Sequence, residues 1–227
     1  MSVLDYFRPA KMPDPDRALP GRSNPIETPG THSVLGTPLA GPWPDGTKTA
    51  VFGFGCFWGA EQDFWQLPGV VSTAVGYAGG YTPNPTYREV CTGQTGHAEA
   101  IQIAFDPEQL SFEQLLEVFF ATHDPTTLNR QGNDVGPQYR STIFYANDQE
   151  KELAKAFIDD LNESKSFKRP VVTTLEPLKA FYDAEQYHQN YACQNLSQGY
   201  IRGIALPKVE KVREKYKDLL KDKSPIP

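Results

Sequence analysis

The chain lacks the features that mark several broad classes of protein. Its 227 residues include only three cysteines, Cys56, Cys91 and Cys193, and no two of them form a Cys-x-x-Cys pair. So few, widely spaced cysteines argue against a disulfide scaffold and favour a reducing compartment. No apolar run approaches the roughly 18 residues that a membrane-spanning helix needs, and the N-terminus lacks the apolar stretch of a secretory signal. We therefore expect a cytoplasmic protein with no membrane partner.

The charge and the missing motifs exclude further classes of function. The net charge of −6 and the pI of about 5.3 argue against a nucleic-acid partner, since such proteins present basic surfaces. Neither a Gly-x-Gly-x-x-Gly fingerprint nor a phosphate-binding P-loop is present. His97-Ala98-Glu99 matches the start of the zinc deaminase signature, but the Cys-x-x-Cys that should follow is absent. We expect no bound metal.

The chain divides into an N-terminal arm and one domain. Residues 1–48 hold nine of the 20 prolines and show neither helical nor strand periodicity, so this arm is either disordered or wrapped over the domain. Residues 49–227 have the length and patterning of a single α+β domain that ends in a basic helix.

Hydrophobic periodicity predicts the order β-α-β-loop-β-α-β-α-β-α. Ser111 and Gln114 form a capping box at one helix start. This order favours a two-layer α+β sandwich, with helices on one face of a mixed, mostly antiparallel sheet. The last predicted elements are a strand, a short helix and a C-terminal helix, with the sequences VVTTLEPLKAF, AEQYHQNYACQN and PKVEKVREKYKDLL.

Cys56 is the sharpest candidate for chemistry. It follows the strand TKTAVFGFG and opens the predicted helix CFWGAEQDFWQL. A cysteine in the first helical turn lies at the positive end of the helix dipole, which favours the nucleophilic thiolate. The alternative is that Cys56 is a small buried apolar residue. Phe57 and Trp58 cannot both face the same way on a helix, so one of them is a candidate wall for an apolar substrate group.

Glu99 is the second candidate. Strand alternation places His97 and Glu99 on the same face as Ile101, Ile103 and Phe105, which has the pattern of a core face. Burial raises the pKa of a carboxyl group, so Glu99 would suit a general acid near neutral pH. If Glu99 lies at the strand edge instead, it is a solvated carboxylate. Patterning alone assigns no role to the loop residues Tyr87, Asp134 and Tyr139 or to His188.

Four separated segments together resemble the A-type peptide methionine sulfoxide reductase family. They are GFGCFWGAE, GGYTPNPTYREVCTGQTGHAEAIQIAFDP, RQGNDVGPQYRSTIFY and FYDAEQYHQNY, and the resemblance covers roughly residues 50 to 213. It implies a ferredoxin-like split βαβ core with N- and C-terminal extensions.

The resemblance also implies roles for individual residues. Cys56 matches the nucleophile and Glu99 matches the acid. Tyr87 and Tyr139 match the hydroxyl groups that hold the sulfoxide oxygen. The substrate-binding positions match the aromatic pair Phe57 and Trp58 and the pocket acid Asp134.

The implied reaction is thiol-dependent reduction of methionine S-sulfoxide, free or within oxidised proteins and peptides. Cys56 becomes a sulfenic acid, and no cofactor is expected beyond an external dithiol such as thioredoxin. Many family members carry a resolving cysteine in a Gly-Tyr-Cys stretch, where this chain has Gly199-Tyr200-Ile201. Either Cys193 resolves the sulfenic acid or the external thiol attacks it directly. Cys91 matches a non-catalytic cysteine and is expected to pack in the core.

Two other function classes fit some of the residues. A cysteine hydrolase would use His97 or His188 to activate Cys56, but it leaves Glu99 without a role. A peptide-binding module would hold its ligand with the glycine-rich loops and would tolerate replacement of Cys56 by serine.

Overall fold

The structure is a computed structural model that describes residues 11–199, 201–205, 207, 209, 210 and 214. It contains eight strands: β1 (Lys48–Phe54), β2 (Val70–Ala78), β3 (Ala98–Phe105), β4 (Arg130–Gln131), β5 (Asp134–Val135), β6 (Ser141–Tyr145), β7 (Thr174–Pro177) and β8 (Phe181–Asp183). The α-helices are α1 (Ala60–Phe64), α2 (Tyr87–Cys91), α3 (Phe112–Ala121), α4 (Asp148–Glu163) and α5 (Tyr191–Gln194). Short 3₁₀ turns cover Pro15–Arg17, Phe57–Gly59, Pro137–Tyr139 and Gln186–His188, and a π-helical turn covers Ile201–Ala205.

Six strands form one sheet in the order β7-β6-β1-β3-β2-β8, and β4 pairs with β5 in a separate hairpin. Only β6 and β7 run parallel, and the other pairs in the sheet are antiparallel. The prediction of a mixed, mostly antiparallel sheet is therefore confirmed. The ferredoxin-like arrangement of its core stays a prediction.

The sheet is strongly curled. β7 and β8 lie at its opposite edges, yet three residues connect Pro177 to Phe181. A flat sheet of six strands would separate its edges by about 24 Å, whereas this connection reaches at most about 15 Å. The edges must therefore approach each other. Phe181 packs with Val51 and Phe144 on the second face of the sheet.

The main core lies between the first face of the sheet and the helices. Alternation along β1 directs Phe52 and Phe54 into this core. The Phe52 and Phe119 rings lie 5.0 Å apart, and Phe54 meets Phe64 of α1 at 6.1 Å. The opposite face carries mainly small side chains. This arrangement matches the predicted layering and leaves the ends of β1 and β3 open to the loops that carry the site.

Capping explains where two of the helices begin. Ser111 and Gln114 form the predicted capping box at the start of α3. A second box, from Thr86 and Glu89, starts α2 within the predicted loop between β2 and β3. It fixes the position of Tyr87, the first residue of α2.

Two sequence predictions near the C-terminus are wrong. The expected single strand VVTTLEPLKAF is divided into β7 and β8, because the chain leaves one sheet edge and joins the other. The expected helix AEQYHQNYACQN is divided into a 3₁₀ turn and α5, because Asn190 between them has the left-handed φ of 53°. Most of the predicted C-terminal helix lies outside the described residues.

Residues 11–47 pack against the domain. Arg22 forms a 3.0 Å ion pair with Glu89, and the Thr82 hydroxyl donates to the Leu19 carbonyl at 2.8 Å. His32 and Leu39 are fully buried. Of the two alternatives for the arm, the structure shows a docked segment over these residues. Within the part of the chain that is described, none of the helices has the length and apolar character needed to cross a membrane.

Candidate active site

Cys56 lies at the turn that follows β1. Gly55 has a φ of 97°, and a Cβ there would meet the Gln131 side chain at 2.5 Å, so this position requires glycine. Cys56 is partly exposed and caps the 3₁₀ turn Phe57–Gly59, which continues into α1. The continuous helix predicted from Cys56 is therefore a 3₁₀ turn followed by a short α-helix. Cys56 lies at its N-terminal end, as expected.

Glu99 lies beside this turn and is almost fully buried on β3, with 1% of its surface exposed. The backbone N–H of Phe57 donates to Glu99 Oε2 at 3.0 Å, which places the carboxyl group next to Cys56. The pKa of Glu99 is raised to about 8, chiefly by burial; the Phe57 bond opposes this rise and the charge of Asp134 adds to it. Oε1 has no hydrogen-bond partner among the described residues. Glu99 is thus mostly protonated near neutral pH, with one oxygen available.

Tyr87 and Tyr139 surround this carboxyl group. Burial, and then the Glu99 charge, raise the pKa of both hydroxyls far above the ordinary value. Charges at Cys56 and Asp134 also act on Tyr139. Both hydroxyls therefore remain protonated and can donate hydrogen bonds. The structure brings together Cys56, Glu99, the two tyrosines and Asp134, which come from four separate stretches of the chain.

Phe57 and Trp58 extend the site as an aromatic wall. Phe57 is buried and its ring lies 6.3 Å from that of Tyr87. Trp58 is half-buried and its ring lies 6.4 Å from the same tyrosine. Although successive helix residues point in different directions, the rings of Phe57 and Trp58 both lie next to that of Tyr87. Trp58, as the more exposed residue, presents apolar surface beside Cys56.

Sequence reasoning did not assign a role to His188, which holds Trp58 in place. Its Nδ1 accepts a 2.9 Å hydrogen bond from Trp58 Nε1–H, and its ring lies 5.1 Å from Phe57 and 4.4 Å from Tyr87. Burial lowers the pKa of His188 to about 4, so the ring is neutral at pH 7. Only the clustering of aromatic residues around it in EQYHQNY could have suggested this role.

Glu185 is a second residue that sequence reasoning missed. Its Oε2 accepts from the Tyr77 hydroxyl and its Oε1 from the Tyr87 backbone N–H, each at 2.9 Å. Tyr77 is the cross-strand partner of Glu99. Glu185 therefore fixes the start of α2 relative to the strand that carries Glu99. No local pattern marks it, because its partners lie about 100 residues away.

His97, by contrast, is occupied by the backbone. Its Nδ1 accepts from the Gly80 N–H at 3.1 Å, and its Nε2 contacts the Thr82 carbonyl at 2.7 Å, so Nε2 carries the proton. In His188 the Nδ1 lone pair is taken by Trp58. Neither histidine offers a lone pair to Cys56, which removes the base that a cysteine hydrolase requires.

The other two cysteines differ from each other in their surroundings. The prediction that Cys91 packs in the core is wrong, because Cys91 is exposed at the end of α2. One helical turn separates it from Tyr87, and the two side chains are hydrogen-bonded. Cys193 is partly exposed on α5, which packs on the Phe57–Gly59 turn through Tyr191 and Trp58, stacked at 4.6 Å. Ile201, where the resemblance places a cysteine, is buried against this pair.

Among the described residues, no group of three or more His, Cys, Asp or Glu side chains is placed to hold a metal ion.

Comparison with known proteins identifies a family for this chain. The family model for peptide methionine sulfoxide reductase matches residues 48–220. The chain is 51% identical to peptide methionine sulfoxide reductase MsrA of Salinispora arenicola, over 84% of this chain and 87% of the relative. It is 50% identical to MsrA 1 of Synechocystis sp., over 86% and 89%.

Two solved structures are also similar to this chain. Methionine sulfoxide reductase A of Corynebacterium diphtheriae superposes with a TM-score of 0.73 and 40% identity, covering 82% of this chain and 92% of that one. Reduced Mxr1 of Saccharomyces cerevisiae gives a TM-score of 0.63 and 39% identity, covering 70% and 90%. These matches, over the stretch that carries the site, show that the chain belongs to the peptide methionine sulfoxide reductase family.

Proposed function

We propose that this chain is a thiol-dependent oxidoreductase that reduces methionine S-sulfoxide, free or in oxidised proteins, to methionine. The observation that carries the proposal is the junction of Cys56 and Glu99, where a buried, protonated carboxyl group is held by the N–H next to the thiol. A sulfoxide gives up its oxygen only when that oxygen is protonated. A nucleophilic sulfur and a neutral acid are the two groups that this reaction requires.

The reaction proceeds at Cys56. Its thiolate attacks the sulfoxide sulfur, while Glu99 Oε1 gives its proton to the sulfoxide oxygen. Hydrogen bonds from the Tyr87 and Tyr139 hydroxyls stabilise the charge that develops on this oxygen. This attack forms a transient S–S bond between Cys56 and the substrate. That bond and the S–O bond of the substrate then break as the protonated oxygen moves to the Cys56 sulfur. Methionine leaves with the electron pair of the S–S bond, and Cys56 is left as a sulfenic acid.

The aromatic wall supplies stereospecificity. Phe57 and Trp58 accept the methyl group of the substrate. Asp134 lies near Glu99 and Tyr139, the residues that bind the sulfoxide oxygen. Because the site fixes the oxygen and the methyl group at the same time, only one arrangement around the chiral sulfur presents that sulfur to Cys56. We assign this arrangement to the S epimer.

Methionine formation from each epimer, with dithiothreitol as reductant, tests the proposal. We expect wild-type protein to consume only the S epimer, and Cys56→Ser to lose this activity completely, since the serine hydroxyl stays un-ionised at neutral pH and is a far poorer nucleophile than a thiolate. Reduction of neither epimer by folded protein, or full activity in Cys56→Ser, would contradict the proposal. The second result would favour a peptide-binding module.

We further propose that Cys193 resolves the sulfenic acid. Its thiol attacks the Cys56 sulfur, a Cys56–Cys193 disulfide forms and water leaves, after which an external dithiol of the thioredoxin type reduces the disulfide. No bound cofactor is needed. The support is the position of α5 on the turn that follows Cys56.

Mass spectrometry after one equivalent of sulfoxide tests this step. We expect a Cys56–Cys193 disulfide in the wild type, and at least a tenfold loss of thioredoxin-driven turnover in Cys193→Ser. Cys91→Ser is the matched control, because Cys91 is also a thiol beside the site, and it should keep the disulfide. A Cys56–Cys91 disulfide, or unchanged turnover in Cys193→Ser, would overturn the assignment.

The setting of the enzyme follows from this chemistry. Recycling by an external dithiol requires a reducing compartment, so we place the enzyme in the cytoplasm, as a repair activity after oxidative damage. We assign residues 49–227 to one catalytic domain and residues 1–48 to an arm that covers it.

A further inference from the structure

A buried polar network joins the arm to the domain. We call His32, Thr73, Glu61 and Asn190 the arm network. Each of the four is at most 3% exposed. Thr73 donates to Glu61 Oε1 at 3.1 Å, and Asn190 Nδ2 donates to the same oxygen at 2.9 Å. The backbone N–H of Asn190 donates to Glu61 Oε2. One carboxyl group thus holds both the backbone and the side chain of Asn190.

The arm supplies the other half of the network. His32 Nδ1 accepts from the backbone N–H groups of Val34 and Leu35, which leaves the ring proton on Nε2, 2.8 Å from the Thr73 hydroxyl. The backbone N–H and the hydroxyl of Ser33 both donate to Asn190 Oδ1 at 2.8 Å. The amide of Asn190 is therefore held from the arm on one side and from α1 on the other.

The hydrogen bonds to Asn190 hold its backbone in an unfavourable conformation. Asn190 has φ 53° and ψ 34°, a left-handed conformation that costs a non-glycine residue free energy and persists only where the surroundings impose it. His188, two residues before Asn190, and Tyr191, directly after it, both hold Trp58. His188 accepts the indole N–H at 2.9 Å, and Tyr191 stacks on the indole at 4.6 Å.

We propose that the arm network positions Trp58 for recognition of the substrate's methyl group, with Asn190 as the positioning residue and the arm as part of the site. This inference rests on the proposed function, since it gives Trp58 a substrate to recognise. The left-handed turn at Asn190 sets the distance between His188 and Tyr191, the two residues that hold the Trp58 ring. Without the hydrogen bonds of the Asn190 amide, these two residues can move apart. The pocket then loses its fit to a methyl group, while Cys56 and Glu99, which are not members of the network, keep their reactivity.

The test compares the full chain with Asn190→Gly, which permits the left-handed backbone but removes the side-chain bonds. The substrates are the S-sulfoxides of methionine and of its ethyl analogue. We expect the KM for the methyl substrate to rise about tenfold, and the preference for methyl over ethyl to fall at least threefold. The single-turnover rate at saturating substrate should change by less than about twofold.

Asn84→Gly is the matched control. Asn84 is also a left-handed asparagine, with φ 44°, and its amide also binds the arm, through the carbonyls of Arg22 and Ser23. Among the described residues, its hydrogen bonds do not reach His188 or Tyr191, so the methyl preference should be unchanged. Ser33→Ala, which removes a single hydroxyl donor, should move the preference in the same direction as Asn190→Gly, by about twofold, and it decides the matter if Asn190→Gly does not fold.

A methyl preference that is unchanged in folded Asn190→Gly, or equally reduced in Asn84→Gly, would overturn this inference. It would do so without affecting the proposed function, because wild-type reduction of the methyl substrate is measured in the same experiment. Failure of the wild type to reduce that substrate would instead count against the proposed function.

Discussion

Glu61 and Glu99 are two buried carboxyl groups in the same core that differ in what surrounds their oxygens. Glu61 is 3% exposed and Glu99 is 1% exposed. Burial raises the pKa of each to about 8. Neither exposure nor pKa therefore distinguishes them, although only Glu99 lies beside Cys56.

Their hydrogen bonds do distinguish them. Both oxygens of Glu61 accept, from Thr73 and from the side chain and backbone of Asn190. Glu99 accepts one bond, from the Phe57 N–H, and its Oε1 has no partner in the described part of the chain. Burial can make a carboxyl group a neutral acid, but an unoccupied oxygen makes it available to a substrate. The comparison assigns Glu61 to structure and Glu99 to chemistry.

The largest effect is expected for Glu99→Gln. The amide preserves the shape and the bond from Phe57 but has no proton to give to the sulfoxide oxygen. Loss of a general acid typically costs about 10²–10⁴-fold, so we expect the single-turnover rate to fall at least 100-fold. Rapid-quench measurement of methionine formation with saturating substrate and no recycling thiol checks this.

Glu61→Gln is the matched control for that experiment. It makes the same chemical change in an equally buried carboxyl group, and we expect the saturating single-turnover rate to stay within threefold of the wild type. Comparable losses of the single-turnover rate in both variants would contradict this assignment, because they would show that the rate depends on a buried carboxyl group and not on the oxygen that lacks a hydrogen bond.

The free energy of unfolding should fall more in Glu61→Gln than in Glu99→Gln, the reverse of the order expected for the rate. In Glu61→Gln the amide nitrogen replaces an acceptor, so at least one buried donor of Asn190 or Thr73 loses its partner. Leaving a buried polar group unsatisfied costs about 1–3 kcal/mol, and we expect that loss in the free energy of unfolding at pH 6, measured with urea. Glu99→Gln keeps the Phe57 bond and should lose less. A larger loss in Glu99→Gln would contradict the structural role of Glu61.

The smallest effect is a slope of stability with pH. Both carboxyls have a pKa of about 8 when folded, against 4.5 when unfolded, so the folded chain keeps protons that the unfolded chain has released. The free energy of unfolding therefore falls as pH rises toward 8, by up to about 1.4 kcal/mol per pH unit for each carboxyl. Burial lowers the pKa of His32 and His188 to about 4, which offsets this slope below pH 6.5.

The window from pH 6.5 to 8 therefore isolates the carboxyls. Urea unfolding at several pH values in this window should give a shallower slope in Glu61→Gln and in Glu99→Gln than in the wild type. Parallel slopes in all three proteins would show that neither carboxyl holds a proton in the folded chain.

The burial of Glu99 can be predicted from the sequence, whereas that of Glu61 cannot. Glu99 is predictable because strand alternation places it on the same face of a core strand as Ile101 and Ile103. Glu61 lies in a helical segment where an acidic residue is ordinary, and its partners come from residues 32, 73 and 190. Local periodicity carries no information about such contacts, and the same holds for Glu185 and His188.

The fold shows the same division. The sheet composition and the capping box at Ser111 follow from local patterns. The division of the last predicted strand depends on how the sheet curls, and the break at Asn190 depends on bonds from the arm. Cys91, which was expected in the core, is instead exposed at the last residue of α2.

The pH dependence of the single-turnover rate, in the wild type and in Glu99→Gln, tests the central claim most directly. If Glu99 gives its proton to the sulfoxide oxygen, the wild-type rate falls above about pH 8, approaching tenfold per pH unit, as Glu99 ionises. The slow Glu99→Gln variant lacks this fall, while Glu61→Gln retains it. A wild-type rate that keeps rising through pH 9, or the same fall in Glu99→Gln, would contradict the assignment of Glu99 as the acid.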